Sequence, residues 1–274
     1  MSHPTTASHP IELLYSLRDE IDKREEPVIL ATVVKEVGSN PQKVGARMVL
    51  FQDGSIRGTV GGGRIESHII KDGLDMFSPD AETHQLLEYN LQEIGMTCGG
   101  LMVVFLERID VAPHVVLFGG GHVSAPTAKL AAEVGFKVTV VDERTEWANK
   151  ERFPSATIIN ESFPNFLKTF TPRAHHYLVL VSQGHAHDQK ILEQVMGGPQ
   201  RFTGMIGSKK KAWSMWKHFR KLGIAEDIWN QVHCPIGIPL GESQPAEIAV
   251  SIVAQLIQVR YQSQQTQSQQ HKVG

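Results

Sequence analysis

Cysteine is nearly absent from this chain: Cys98 and Cys234 are the only two in 274 residues, and they form no C-x-x-C spacing. Two isolated thiols exclude a disulfide framework and a thiolate zinc site, which leaves a single-thiol role or plain burial for each. An excess of either charge is missing too, with 27 Lys and Arg against 29 Asp and Glu for a formal net charge of -2. No global field draws the chain to nucleic acid or to an anionic membrane, so partners must be recognised locally. No segment approaches the roughly 20 apolar residues that a membrane span needs. The opening MSHPTTASHP has no basic start followed by an apolar run, and the expected location is cytoplasmic.

What is present is ordinary globular material, 41% hydrophobic and 20% charged, long enough for two packed cores. Residues 1–10 are expected to be disordered. Residues 11–26 carry Ile11, Leu13, Leu14, Leu17 and Ile21 at helical spacing with charges between them, the pattern of an amphipathic helix. PVILATVVKEV and GARMVLFQDGSIRGTV read as strands with QDGS as a hairpin turn, GRIESHIIKDGLDMF as a helix, and LLEYNL and LMVVFLERI as strands flanking GMTCGG. These define a small α+β domain over residues 11–110. Beyond VAPHVV the pattern becomes an alternation of apolar strands and helices, HVVLFG, SAPTAKLAAEVG, FKVTVVD, TIIN, HYLVLVSQ and FTGMIG. That alternation predicts a parallel sheet covered by helices over residues 111–260. The glutamine-rich tail, residues 261–274, is low in complexity and expected to be disordered.

The second domain opens with a strand, Gly119, Gly120 and Gly121, a helix, a second strand and Asp142 at its end. In that register the turn offers backbone N–H groups and a helix N-terminus to a phosphate, and the acid is placed to accept hydrogen bonds from a ribose diol. Ser124 stands where the third glycine of the fingerprint belongs. Arg144 is within reach of a 2′-phosphate, so the residues admit NAD and NADP alike. His122 follows the glycines and points an imidazole at whatever the loop binds. GMIGSKKK sets Gly207 and Ser208 before a helix that begins with Lys209, Lys210 and Lys211; cations there oppose the helix dipole unless an anion sits nearby. VSQGHAHDQ holds His185 and His187 beside Asp188, for capping and hydrogen bonding rather than for metal. All three loops follow strands, and ligands bind at the carboxyl edge of such sheets.

The first domain has a glycine turn of its own, Gly61, Gly62 and Gly63, leading into a helix that carries Glu66; read alone, it is either an anion-sized cradle or a flexible bend. In GMTCGG, Cys98 sits beside Gly99 and Gly100, which let a bulky group approach the backbone. Cys234, followed by Pro235, reads as buried rather than as a sulfur relay.

Taken in order, ILATVVKEVGSNPQKVGARM, GGGRIE, GMTCGG, LFGGGHVS, VVDER, GMIGSKKK, CPIG and PAEIAVSIVAQ resemble the XdhC/CoxI family, whose members mature xanthine dehydrogenase and related molybdenum hydroxylases. The resemblance implies an α/β chain in which an N-terminal XdhC/CoxI domain precedes a Rossmann-like domain. It also implies a maturation factor without turnover of its own: one that binds the molybdenum cofactor (molybdopterin), supports its sulfuration with a cysteine desulfurase, delivers it to an apo molybdenum hydroxylase, and forms a homodimer. Cys98 matches the family's cysteine-glycine-glycine element and would be the contact to the metal, its thiolate being a soft ligand suited to molybdenum. Gly63 stands near a position where the CoxI-like branch tends to carry cysteine. Two other readings stay open: an NAD(P)-dependent oxidoreductase, although no Tyr-x-x-x-Lys pair follows a strand of the second domain, and a nucleotide-sensing regulatory module.

Overall fold

The computed structural model describes residues 17, 20, 21, 23–78, 81–97, 99–241 and 244–270; the side chains of His185 and of residues 263–270 are not among what it describes. Most of the amphipathic segment expected over residues 11–26, and Cys98 itself, fall outside the described residues. The chain divides into two compact units between Val111 and Ala112.

The first unit is a five-stranded antiparallel sheet with the strand order β3-β2-β1-β5-β4. Its strands are β1 (Val28–Val37), β2 (Arg47–Leu50), β3 (Ile56–Gly58), β4 (His84–Asn90) and β5 (Leu101–Ile109). The hairpin predicted at QDGS joins β2 to β3. Gly54 supplies a φ of 79°, and Asp53 Oδ1 accepts the Ser55 amide at 2.9 Å, an Asx-type closure. A helix, α1 (Gly63–Asp75), lays Ile65 and Ile69 on the sheet against Ile29, Ala31, Met48, Leu50, Met102 and Val104. It comes close because its third buried position is Gly73, where a Cβ would approach Leu50 Cδ2 to 2.7 Å.

The second unit is a six-stranded parallel sheet in the order β11-β10-β9-β6-β7-β8. It is made of β6 (His114–Phe118), β7 (Lys137–Val141), β8 (Thr157–Ile159), β9 (His176–Leu180), β10 (Phe202–Met205) and β11 (Val232–His233). Counting from β6, this is the doubly wound order 3-2-1-4-5-6, read from the opposite edge. Side chains alternate across β6: Val115 and Leu117 face one core with α2 (Ser124–Glu133) and α7 (Pro245–Gln270), through Ala128, Ala131, Ile252 and Leu256. Val116 and Phe118 face the other core with α3 (Phe163–Thr169), α4 (His185–Val195) and α5 (Lys209–Lys221). A strand buried on both faces reads as a continuous apolar run, which is why HVVLF shows no alternation in the sequence.

Two elements escaped sequence reading, β11 and the four-residue α6 (Glu226–Trp229), both too short for a period to show. At the other extreme, the backbone of α7 stays helical to Gln270, well into the segment expected to be disordered; glutamine is a good helix former and extends a helix that packing has already started.

Candidate functional site

In the first unit, three glycine-bearing segments meet at one edge of the sheet. Antiparallel pairing sets the ends of β1 and β4 opposite the start of β5, with Val37 and Asn90 each opposite Leu101. The adjoining segments are thereby brought together: the turn at residues 38–41, the glycines after β3, and the connection between β4 and β5. The glycines mark the contacts. A Cβ on Gly61 would come within 2.6 Å of Pro41 Cγ, and one on Gly100 would run into the Ser39 carbonyl and within 2.7 Å of Asn40 Nδ2. Gly62 and Gly63 have φ of 70° and 58° with nothing within 4 Å of a Cβ position, so they keep the turn both left-handed and open.

The turn is braced from inside. Glu66 Oε1 accepts from Thr59 Oγ1 at 2.5 Å, from the Gly62 amide at 2.9 Å and from the Val60 amide at 3.2 Å. The anion on this cradle is therefore the chain's own carboxylate, one helical turn into α1. Arg64 donates to the Ile94 carbonyl at 3.4 Å, tying the turn to the segment that leads to Cys98. Gly99 lies within 3.7 Å, at its Cβ position, of Gln92 Nε2. Asn40 gives its amide hydrogens to Val37 O (2.9 Å) and Gly38 O (3.2 Å), while its Oδ1 is buried without a partner among the described residues.

The second unit offers the switch point, where strand order reverses at β6 between β7 and β9. Gly119, with φ 116°, fits because a Cβ would come within 2.9 Å of the Val181 carbonyl, and Gly120 because one would come within 2.8 Å of the Trp147 carbonyl; space beyond Gly121 is open. Ser124 does the third glycine's work in another way: it is small enough for α2 to close on the sheet, and its Oγ donates to the Gly119 carbonyl at 2.5 Å. Val123 caps α2 without a side-chain bond and no acid stands in its first turn, so the dipole end is uncompensated. His122 is exposed and packs edge-on against Trp147, 5.0 Å between centroids.

Asp142 ends β7 as the fingerprint expects, but the structure gives it partners within the chain. Oδ2 accepts from the Gly120 amide (2.8 Å) and Arg144 Nη2 (2.7 Å), and Oδ1 from the Arg144 amide (3.1 Å) and Nε (2.9 Å). Burial pushes this carboxyl up, yet the bonds from Arg144 and Gly120 outweigh it and hold it below the usual carboxylate range. A cleft of about 140 Å³ lies alongside, lined by Asp142, Arg144, Ser162, Phe163, Gln183 and His187 among others.

The basic turn at Gly207 and Ser208 also meets an internal anion. Ser208 Oγ caps α5 by accepting from the Lys211 amide at 3.2 Å. Lys211 Nζ turns back to Asp188 Oδ2 at 2.5 Å and to the Ile206 carbonyl at 2.9 Å, and Ser182 Oγ donates to Asp188 Oδ1 at 2.6 Å. Asp188 is fully buried, and the sequence placed it only as a neighbour of two histidines. His187 lies edge-on to Phe163, at 5.5 Å. Burial pushes the half-buried Cys234 thiol up to about 11, so it stays protonated at neutral pH, the opposite of a nucleophilic or sulfur-carrying thiolate.

Comparison with known proteins agrees with this architecture. The model of the XdhC and CoxI family matches residues 22–90, and that of the XdhC Rossmann domain matches residues 115–256. The uncharacterized protein YqeB of Escherichia coli (strain K12) is 30% identical over 246 residues, 88% of this chain and 45% of that protein. A probable xanthine dehydrogenase subunit of Bacillus subtilis (strain 168) is 32% identical over 158 residues, 57% of this chain and 46% of that one. The chain thus spans less than half the length of these curated relatives. A crystal structure described as a xanthine dehydrogenase from Bacillus halodurans shares the fold, with a TM-score of 0.50 at 22% identity over 91% of this chain and 95% of that one. With an antiparallel XdhC and CoxI unit followed by a doubly wound parallel one, the chain belongs to the XdhC and CoxI family.

Proposed function

We propose that the chain is an accessory factor of a xanthine dehydrogenase-like enzyme: it binds the molybdenum cofactor on the first unit, shields it during sulfuration by a cysteine desulfurase, and hands it to the apo molybdenum hydroxylase. The observation that carries this reading is the meeting of the segments at 38–41, 61–66, 91–97 and 99–100 at one end of the sheet, where Gly61 and Gly100 pack closely against the 38–41 turn and Gly62 and Gly63 leave the backbone open to a bulky group. The donor set suits a pterin. Asn40 Oδ1 is a buried acceptor without a partner among the described residues, matched to the N–H donors of a pterin edge. Gly62 and Gly63 present open backbone, and Gly99 and Gly100 directly follow Cys98, the one thiol of the region's sequence. When bound, the cofactor would supply a soft metal for Cys98; the chain's own part is to hold the turn with Glu66, to accept from the pterin with Asn40, and to exclude water. Such a factor needs no acid–base constellation of its own, and homodimer formation belongs to the same proposal.

The test is the molybdenum and pterin content of the protein after anaerobic incubation with the cofactor and desalting, for wild type and Cys98→Ser. Stoichiometric retention by wild type and loss in the variant is the expected result. Equal retention by both would remove Cys98 from the site, and retention by neither would remove the carrier role.

A second reading has its own observation, the doubly wound order with a glycine turn and a cleft at its switch point. On that reading the second unit binds a nicotinamide nucleotide, as a sensor that gates partner choice or as an oxidoreductase centre.

A further inference from the structure

Asp142 and Arg144 decide which nucleotide the second unit takes, an inference that rests on the second reading, in which that unit binds one. A ribose-reading acid must offer lone pairs to two hydroxyl donors. A carboxylate has about four acceptor positions. On Asp142 four donors already stand on them: the Gly120 amide and the amide, Nε and Nη2 of Arg144. The side chain is 3% exposed, so no hydroxyl reaches it without displacing Arg144.

Arg144 has donors to spare. Of its five N–H groups, Nε and Nη2 each give one to Asp142, and Nη1 gives one to Gln183 Oε1 at 2.9 Å. Two N–H groups bind no atom among the described residues, and the side chain is 33% exposed. Its position is particular: Arg144 follows β7, Gln183 follows β9, and β6 lies between those strands, so the guanidinium arches over the end of the strand that carries the glycine turn. Trp147 supports it from below, with the guanidinium carbon 5.4 Å from the ring centroid. Ser162 lines the same cleft and makes no side-chain cap bond at the start of α3. Glu143 lines it as well but is exposed, so its charge is screened by solvent.

We propose that Arg144 sets the ligand class of the switch-point cleft: it bars an unphosphorylated ribose diol from Asp142 and receives, on its unoccupied N–H groups, the phosphomonoester of a 2′-phosphorylated nucleotide. Asp142 then acts as a positioning residue that holds the guanidinium. The uncapped N-terminus of α2 faces the remaining phosphates of such a ligand. A planar fork suits a phosphate better than a point charge does, and this separates the role from general cation attraction.

The experiment is calorimetric titration of the full chain with NADP+, NAD+ and 2′-AMP, for wild type, Arg144→Ala and Arg144→Lys, with thermal unfolding of each as a check on folding. Wild type should bind NADP+ roughly tenfold or more tightly than NAD+, the worth of one charge-assisted pair, and should bind 2′-AMP. Arg144→Ala should lose that preference and gain NAD+ affinity as Asp142 is uncovered. Arg144→Lys keeps a cation beside Asp142, guarding against a folding defect, and should still lose most of the preference. Equal affinity of wild type for both dinucleotides, or a preference untouched in both variants, would overturn the assignment while leaving the nucleotide site standing. Absence of binding by all three ligands to folded wild type would overturn both.

Discussion

At the scale of the residue, the recurring device is an internal acid that takes up donors expected to face a ligand. Glu66 accepts from the glycine turn of the first unit, Asp142 accepts from Gly120 and Arg144 while leaving the start of α2 open, and Asp188 receives the lysine of the basic turn. The last is the most exposed to test, because Asp188 is fully buried and its two oxygens hold Ser182 and Lys211. Removing the cation leaves a buried carboxylate with one neutral donor, and breaking a buried pair in this way costs about 3 kcal/mol, more than the pair itself contributes. Lys211→Met should therefore lower the unfolding free energy by that order. Asp188→Asn/Lys211→Met should recover most of it, since the uncompensated charge is then gone. A double-mutant cycle in denaturant reads both; additive losses would show that Lys211 and Asp188 are not coupled.

At the scale of the element, legibility follows periodicity. The long strands, α1, α2 and α5 all showed in the sequence, because a face or a buried run repeats often enough to be seen. The alternation of apolar strands and helices in the second half of the sequence likewise announced a parallel sheet there. The partners of Asp142 did not show. A strand-terminal acid followed two residues later by arginine is the same string whether the carboxylate faces a ribose or its neighbour, and the choice is made by tertiary distances. Only Arg144, noted for its reach, hinted at the outcome. For α7 the pattern is quantitative as well: Leu256 lies wholly inside the core shared with α2, whereas Tyr261 is 44% exposed. Leu256→Ala should cost about 2–4 kcal/mol through lost contacts and cavity, and Tyr261→Ala about 0.5 kcal/mol or less. Similar midpoint shifts for the two in urea unfolding would mean that α7 does not pack by this face.

At the scale of the whole molecule, stability should depend on pH through histidines rather than through its near-zero net charge. At the start of β6 and β9, the rings of His114 and His176 lie 5.2 Å apart and His175 lies 4.2 Å from His176. Burial, then Lys137 and His175, lowers His114 to about 4; burial, then His175 and His114, lowers His176 to about 3. Both stay neutral in the fold down to those values, whereas an unfolded histidine takes up its proton near pH 6.5. Between about 6.5 and 4 the unfolded chain therefore holds more protons than the native one, and stability rises with pH across that window. The contribution is complete above 6.5 and lost as the pH falls toward 4 and 3, at up to about 1.4 kcal/mol per pH unit for each ring. Asp142, already below the usual carboxylate range, titrates at more acid pH, so the interval from 6.5 to 5 isolates the imidazoles. The replacements must keep two bonds: His176 Nδ1 accepts the Arg173 amide at 2.9 Å, and His114 Nε2 pairs with Thr139 Oγ1 at 2.8 Å. His114→Gln/His176→Asn retains an acceptor at each place without a titrating group. Urea unfolding from pH 5.0 to 7.5 should show wild type losing stability toward acid and the double variant losing less than half as much. Parallel pH profiles for the two proteins would mean that these rings take up protons in the fold over the same range as in the unfolded chain and that the acid limb originates elsewhere.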